Sequence, residues 1–204
     1  MIFLSQSAGW PTEEDYNMAK KPDSFETARQ NIIAAAGELM ISTDAKSTSL
    51  ADIAKALKMS KGTLYYYYPS KEHLIIDVAE NCLNEITESI FTWIDSLTEQ
   101  TDPKESLQAL ISTVSGSDSG GRLFLILVHE AVTGNETLRK RFEAKYREWR
   151  VLTEAGAVRS FGEKAEQFRS QIDIFFAVLA GCILQQSLGI DKISAEDIAS
   201  FFTG

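Results

Sequence analysis

Residues 48–74 read TSLADIAKALKMSKGTLYYYYPSKEHL, and the reading of this stretch decides the fold. Thr48 or Ser49 offers a hydroxyl suited to capping a short helix, and Asp52 adds a carboxylate to its first turn. Ile53, Ala54 and Leu57 then recur on one face. Lys58 and Met59 make a tight connection, Ser60 caps a further helix from Lys61 to about Tyr68, and Pro69 closes it. Two short helices joined by a turn of three or four residues make a helix-turn-helix. In that plan the first helix braces the second through small residues such as Ala54, and the second lies in a major groove.

The second helix opens Ser60-Lys61-Gly62-Thr63, which is short, polar and basic. Gly62 would let the backbone come close to DNA, and Lys61 can reach a guanine O6/N7 edge or a phosphate. The N-terminal amides of both helices are suited to phosphates. Tyr65, Tyr66, Tyr67 and Tyr68 follow. A helix turns by about 100° per residue, so four consecutive tyrosines cannot all be core. Leu64, Tyr65 and Tyr68 are expected inward. Tyr66 and Tyr67 are expected outward, their hydroxyls on phosphates and their rings near thymine methyls.

Outward from this stretch the pattern stays helical. Ile32, Ile33, Ala36, Leu39 and Met40 mark a helix starting near Ser24 or Phe25 and stopping around residues 42–44. A long helix opened by Ser70 carries Leu74, Val78, Leu83, Ile86, Ile90, Ile94 and Leu97 and is expected to end near Asp102-Pro103. Further helices are expected over 103–115, 122–133, 135–158, 165–188 and 194–203, separated by Gly- and Ser-rich residues 115–121, Gly134-Asn135, Gly162 and Gly189. No stretch alternates as a strand would. The fold class is all-α, with a flexible extension over 1–22, a helix-turn-helix domain over 23–70 and a helical body over 71–204.

Net charge is −9, yet its distribution is uneven. Residues 19–75 hold eight Lys/Arg against six Asp/Glu, while residues 76–204 hold twelve against twenty. A bulk electrostatic DNA coater is not expected, and a small DNA-reading head on an acidic body is consistent. The apolar run Ile174 to Leu184 falls short of the roughly 20 residues that cross a bilayer. Cys82 and Cys182 sit in apolar helical patterns and read first as buried free thiols, with a disulfide or redox sensor as the alternative. No membrane segment is expected, and a cytoplasmic protein follows. His73 and His129 are the sole histidines, and no P-loop, nucleophile elbow or Cys-x-x-Cys occurs, so neither an enzyme nor a metal or cofactor site is expected.

The quoted stretch resembles the N-terminal signature of the tetracycline-repressor (TetR) family, through Ile53-Ala54, Ser60 to Tyr65, Tyr67-Tyr68 and Ser70-Lys71-Glu72 with Leu74. The resemblance implies that Thr48 or Ser49, Lys61, Tyr65, Tyr67 and Lys71 contact phosphates, and that Gly62 and Tyr66, with Lys61, approach bases. Thr63 belongs to the same motif. The family usually has glycine where this chain has Lys58, and glycine plus an aromatic where it has Asp44 and Ala45. A left-handed non-glycine residue costs on the order of 1 kcal/mol, which a packed domain can absorb. The family also implies a body that dimerises and binds a small-molecule effector, a pseudo-palindromic operator as partner, and repression as the usual mode.

The body allows this on its own terms. Residues 177–184 are apolar on nearly every side, so two faces need covering. The expected dimer set is Phe175, Leu179, Cys182, Ile183 and Gln186 with Ile198, Phe201 and Phe202, and Gly181 would allow close approach; a thick monomer core is the alternative. Effector-pocket candidates are Trp93, Ser112, Phe124, His129, Trp149 and Gln185.

Overall fold

The computed structural model describes residues 24–43, 48–98, 100–115, 118–162, 165–191 and 193–204. The proposed extension 1–22 and the Asp44-Ala45 turn lie outside the described residues. Nine helices and no strand occur among those described: α1 Ser24–Thr43, α2 Leu50–Ala56, α3 Lys61–Tyr67, α4 Lys71–Ser96, α5 Pro103–Ser115, α6 Asp118–Val132, α7 Glu136–Phe161, α8 Ala165–Ser187 and α9 Ala195–Thr203.

The starts of the first helices follow from local capping chemistry. Ser49, Ser60 and Ser70 are the N-caps of α2, α3 and α4, each accepting a backbone N–H from three residues on. Ser49 and Asp52 complete a reciprocal capping box. At the other end of α2, Lys58 adopts φ 53°, the sole positive-φ non-glycine residue among those described. Around it the Met59 N–H donates to Ala54 O at 2.9 Å and the Lys58 N–H to Lys55 O at 3.1 Å, which is a Schellman closure built on lysine where glycine is usual.

Two boundaries depart from expectation. α4 stops at Ser96, with Leu97 extended and buried, and not near residue 102. Thr98 and Thr101 then form their own turn, and Asp102 accepts the Glu105 N–H at 2.9 Å to start α5 with Pro103 in its first position. α6 begins at Asp118, so Gly120-Gly121 lies inside a helix and not in a loop. The reason is packing: a Cβ on Gly121 would stand 3.2 Å from Ile183 Cγ2 of α8.

α1, α2 and α3 form the head, and α1 also packs on α4 and α6. α4 runs from the head into the body, where it meets α5, α6 and α7. At the α4–α7 crossing Trp93 is buried, its Nε1 donating to Ser106 Oγ at 2.7 Å. Its ring occupies the space of the absent side chain at Gly156, where a Cβ would lie 2.1 Å from Trp93 Cζ3.

α8 has the length and composition of a membrane-spanning helix. One side of it nevertheless forms the centre of the core through Phe168, Ile172, Phe175, Leu179, Cys182 and Ile183. Of the expected dimer residues, Phe175, Leu179, Cys182 and Ile183 are therefore turned into the chain's own core. Ile198 and Phe202 of α9 are buried there as well, Phe202 edge-on to Phe168 and Phe175. Gln186 is half-buried, and Phe201 alone of the set is well exposed, at 72%. The outer stripe of α8 is a different one, through Ile174, Ala177, Val178, Gly181, Leu184 and Gln185, continued by Leu188 just past its end. Both cysteines are free and buried, and burial pushes the Cys82 thiol up to about 12, which keeps it protonated and unreactive near neutral pH.

A candidate DNA-reading face and a cavity behind it

α3 is held from below by Leu64, fully buried, and by Ile53 and Ala54 of α2. That leaves Lys61, Gly62, Thr63, Tyr65 and Tyr66 exposed on one short helix. Tyr65 was expected inward and is instead 52% exposed, beside Tyr66 at 74%. The inward turn is filled by Leu64 and Tyr68 alone. Tyr67 is half-buried because its ring stacks on Phe25 of α1, with centroids 4.8 Å apart, and Tyr66 stands edge-on to both rings. A shelf of three aromatic rings thus fixes Tyr66 and Tyr67, and Tyr65 stands beside it.

Thr48, a candidate phosphate contact, is buried, and its hydroxyl lies 2.9 Å from that of Thr43. Ser49 is exposed, and its side chain serves the α2 cap. The hydrogen bonds from Ser49 hold the Asp52 carboxyl below its usual range. Lys71 is the first residue of α4 and half-buried.

Behind this face lies a network that the sequence reading missed. Arg29 of α1 donates through Nη2 to Asp77 Oδ2 at 2.6 Å, and the buried Tyr68 hydroxyl donates to the same oxygen at 2.8 Å. The Asp77 carboxylate holds the Arg29 guanidinium more firmly protonated than usual, and burial together with Asp77 raises the Tyr68 phenol. One carboxylate of α4 therefore ties α1 to the residue that ends α3. Asp77→Ala would strand a buried phenol and leave Arg29 to its longer pair with Glu26 at 3.6 Å. We expect about 2–3 kcal/mol lost in urea unfolding, toward the low end because the Arg29 side chain is 38% exposed. Tyr68→Phe should cost about 1 kcal/mol or less. A loss under about 0.5 kcal/mol for Asp77→Ala would remove the tie from the account of the fold.

The second feature is a cavity of about 430 Å³, mouth included, walled by α4 (Ile86, Ile90), α5 (Leu110, Val114), α6 (Phe124), α7 (Tyr146, Trp149, Thr153) and α8 (Phe175, Phe176, Leu179, Ala180, Ile183). Its enclosed free space is about 30 Å³, room for a water or two, so a ligand of ordinary size must push wall side chains aside. Trp149 is oriented by Nε1, which donates to Thr87 Oγ1 at 2.8 Å. Phe124 and Trp149 of the expected pocket residues line this cavity. Trp93 is buried against Gly156 away from it, Ser112 and His129 face solvent, and Gln185 lies on the outer stripe of α8. A neighbouring cleft shares Ile86, Val114, Phe124 and Ile183 with the cavity and opens past Glu85, Ser89 and Thr113.

Residues 32–78 match the profile of "Bacterial regulatory proteins, tetR family", a span that runs from α1 through the first turns of α4. The chain is 30% identical over 168 residues to the HTH-type transcriptional regulator LmrA of Bacillus subtilis, covering 79% of this chain and 87% of that protein. It is 24% identical to the HTH-type transcriptional repressor KstR2 of Rhodococcus jostii, over 73% and 72% of the two chains. A transcriptional regulator from Saccharomonospora viridis, solved in complex with choline, shares the fold at a TM-score of 0.70 and 16% identity, over 87% of this chain and 94% of its own. The helix-turn-helix, the all-helical body and the extent of these matches agree. This chain belongs to the TetR family of DNA-binding transcriptional regulators.

Proposed function

We propose that the chain is a dimeric repressor released from a pseudo-palindromic operator when a small molecule enters the α4–α8 cavity. The observation that carries this reading is the exposed set Lys61, Gly62, Thr63, Tyr65 and Tyr66 on one braced helix, with the cavity connected to that head by shared helices. In this reading the head over 23–70 reads DNA and the body over 71–204 binds the effector and pairs the chains. Lys61, Gly62 and Tyr66 approach bases, while Tyr65, Tyr67, Lys71 and the α2 N-terminus at Ser49 meet phosphates. The family's small-molecule habit is represented by the choline complex of the Saccharomonospora viridis regulator.

Two connections support coupling. α4 lines the cavity with Ile86 and Ile90 and holds the head through Asp77 on the same helix. Phe124 lines the cavity, and its neighbour Leu123 sits on α1 where a Cβ at Gly37 would be 3.3 Å from Leu123 Cδ2. A ligand that displaces Phe124 therefore presses on the head. It lowers DNA affinity only by as much as it prefers the DNA-free form, and couplings of 5- to 150-fold are typical. The test is a thermal-shift screen of small molecules against the purified chain, then release of selected operator DNA followed by fluorescence anisotropy. Compounds that raise the melting temperature should weaken DNA binding at least fivefold. Binders that leave DNA affinity unchanged would refute effector-driven release.

A further inference from the structure

The geometry points to an uncharged, largely apolar effector that carries one hydrogen-bonding group, anchored by the hydroxyl of Thr153. This rests on the reading that the α4–α8 cavity is the effector site. No Asp, Glu, Lys, Arg or His lines the cavity. A charged ligand would surrender its hydration to a wall of carbon and find no counter-ion. Aromatic faces from Phe124, Tyr146, Trp149 and Phe176 suit a ring-bearing molecule. They can also attract a quaternary ammonium, but no carboxylate in the wall would neutralise it.

Thr153 is the decisive residue. It is fully buried, lines the cavity, and its Oγ1 has no hydrogen-bond partner. Elsewhere, in or just past the helices, Thr43, Thr87, Thr113, Thr133 and Thr203 each donate their hydroxyl to the carbonyl four residues back, at 2.7 to 2.9 Å. Thr153 does not do so with Trp149. Ser160 and Gln171 carry the other unpartnered buried side-chain oxygens among the described residues, and neither lines this cavity. Thr153 Oγ1 is thus the fully buried, unpartnered polar atom of this wall, and the one a ligand would satisfy. Of the other polar groups in the wall, Trp149 Nε1 is already committed to Thr87, and the Tyr146 hydroxyl sits on a half-buried side chain that water can reach.

The probes are 1-naphthol, naphthalene, 1-naphthoate and choline, titrated into the full chain by calorimetry with and without operator DNA. We expect 1-naphthol to bind about tenfold more tightly than naphthalene, the value of one neutral hydrogen bond. 1-Naphthoate and choline should bind more weakly still. Thr153→Val should erase the difference between naphthol and naphthalene without lowering the melting temperature, because it removes a hydroxyl that bonds to nothing in the protein. Thr153→Ser should keep the difference. Equal naphthol affinity in Thr153→Val and the parent, tighter binding of either charged probe, or no binding of any neutral probe would overturn the assignment. If naphthol binds through Thr153 yet leaves DNA affinity unchanged, effector-driven release fails and the ligand chemistry stands. If the charged probes both bind and release DNA, the release reading stands and the ligand chemistry fails.

Discussion

Gly62→Ala should weaken operator binding tenfold or more while leaving the fold as stable as before or slightly more so. The two halves of this expectation come from different surroundings of the same atom. Within the protein, a Cβ at Gly62 meets nothing nearer than Ser60 Oγ at 3.8 Å, an ordinary contact. Gly62 is the second residue of α3, where alanine is favoured over glycine by up to roughly 0.5–1 kcal/mol. The protein by itself therefore gives no reason for glycine there. A reason exists on the outside, where Gly62 lies between Lys61 and Thr63 on the exposed edge of the reading helix. A methyl group added between backbone and DNA must push the helix outward, and 1.4 kcal/mol of lost contact is a tenfold change. Thermal melts alongside anisotropy on selected and random duplexes separate the outcomes. A tenfold loss confined to the selected site places Gly62 at base edges. Equal losses on both duplexes place it at the phosphates, and an unchanged affinity removes it from the interface.

How much of this was legible in the sequence depended on the range of the forces involved. The caps at Ser49, Ser60 and Ser70 are local hydrogen bonds, so the head could be read almost residue by residue. Lys58 in a left-handed turn was signalled by a glycine that the resemblance implied and the chain lacks. Facing was harder. A helix that is apolar all round carries no phase information, so α8 was assigned its dimer residues from the side that Phe168, Phe175 and Phe202 pull into the core. Ser112 and His129 failed for the same reason, since an error of one position rotates a side chain by about 100°. The Arg29–Asp77–Tyr68 tie and the Trp93–Gly156 contact join residues 48, 9 and 63 positions apart, pairings that no local pattern announces. Phe25 did leave a signal, as the first large apolar residue of α1. Its role as a shelf for Tyr66 and Tyr67 needed the packed head.

With Phe175, Leu179, Cys182 and Ile183 committed to the core, the apolar surface left for a partner is the stripe around Gly181, including Ile174 at 54% and Leu188 at 66% exposure. Apolar side chains aligned along one outer helix face mark an association surface, and family members act in pairs on two-fold operators. At Gly181 a Cβ would meet nothing within 4 Å, so the position is open in the single chain. A partner helix crossing there would use that openness to approach closely, as small residues permit. Gly181→Arg should therefore give monomers by light scattering, with helical content unchanged, because arginine is the better helix former. Ala144→Arg, on the exposed surface of α7, should remain dimeric. Loss of the partner removes the second half-site contact, and linked sites gain 10²- to 10⁴-fold from acting together. Operator affinity should then fall about a hundredfold or more, the more steeply because the head carries so little net positive charge. A Gly181→Arg chain that stays dimeric would move the interface elsewhere. One that becomes monomeric yet binds DNA at full strength would show that a single head suffices.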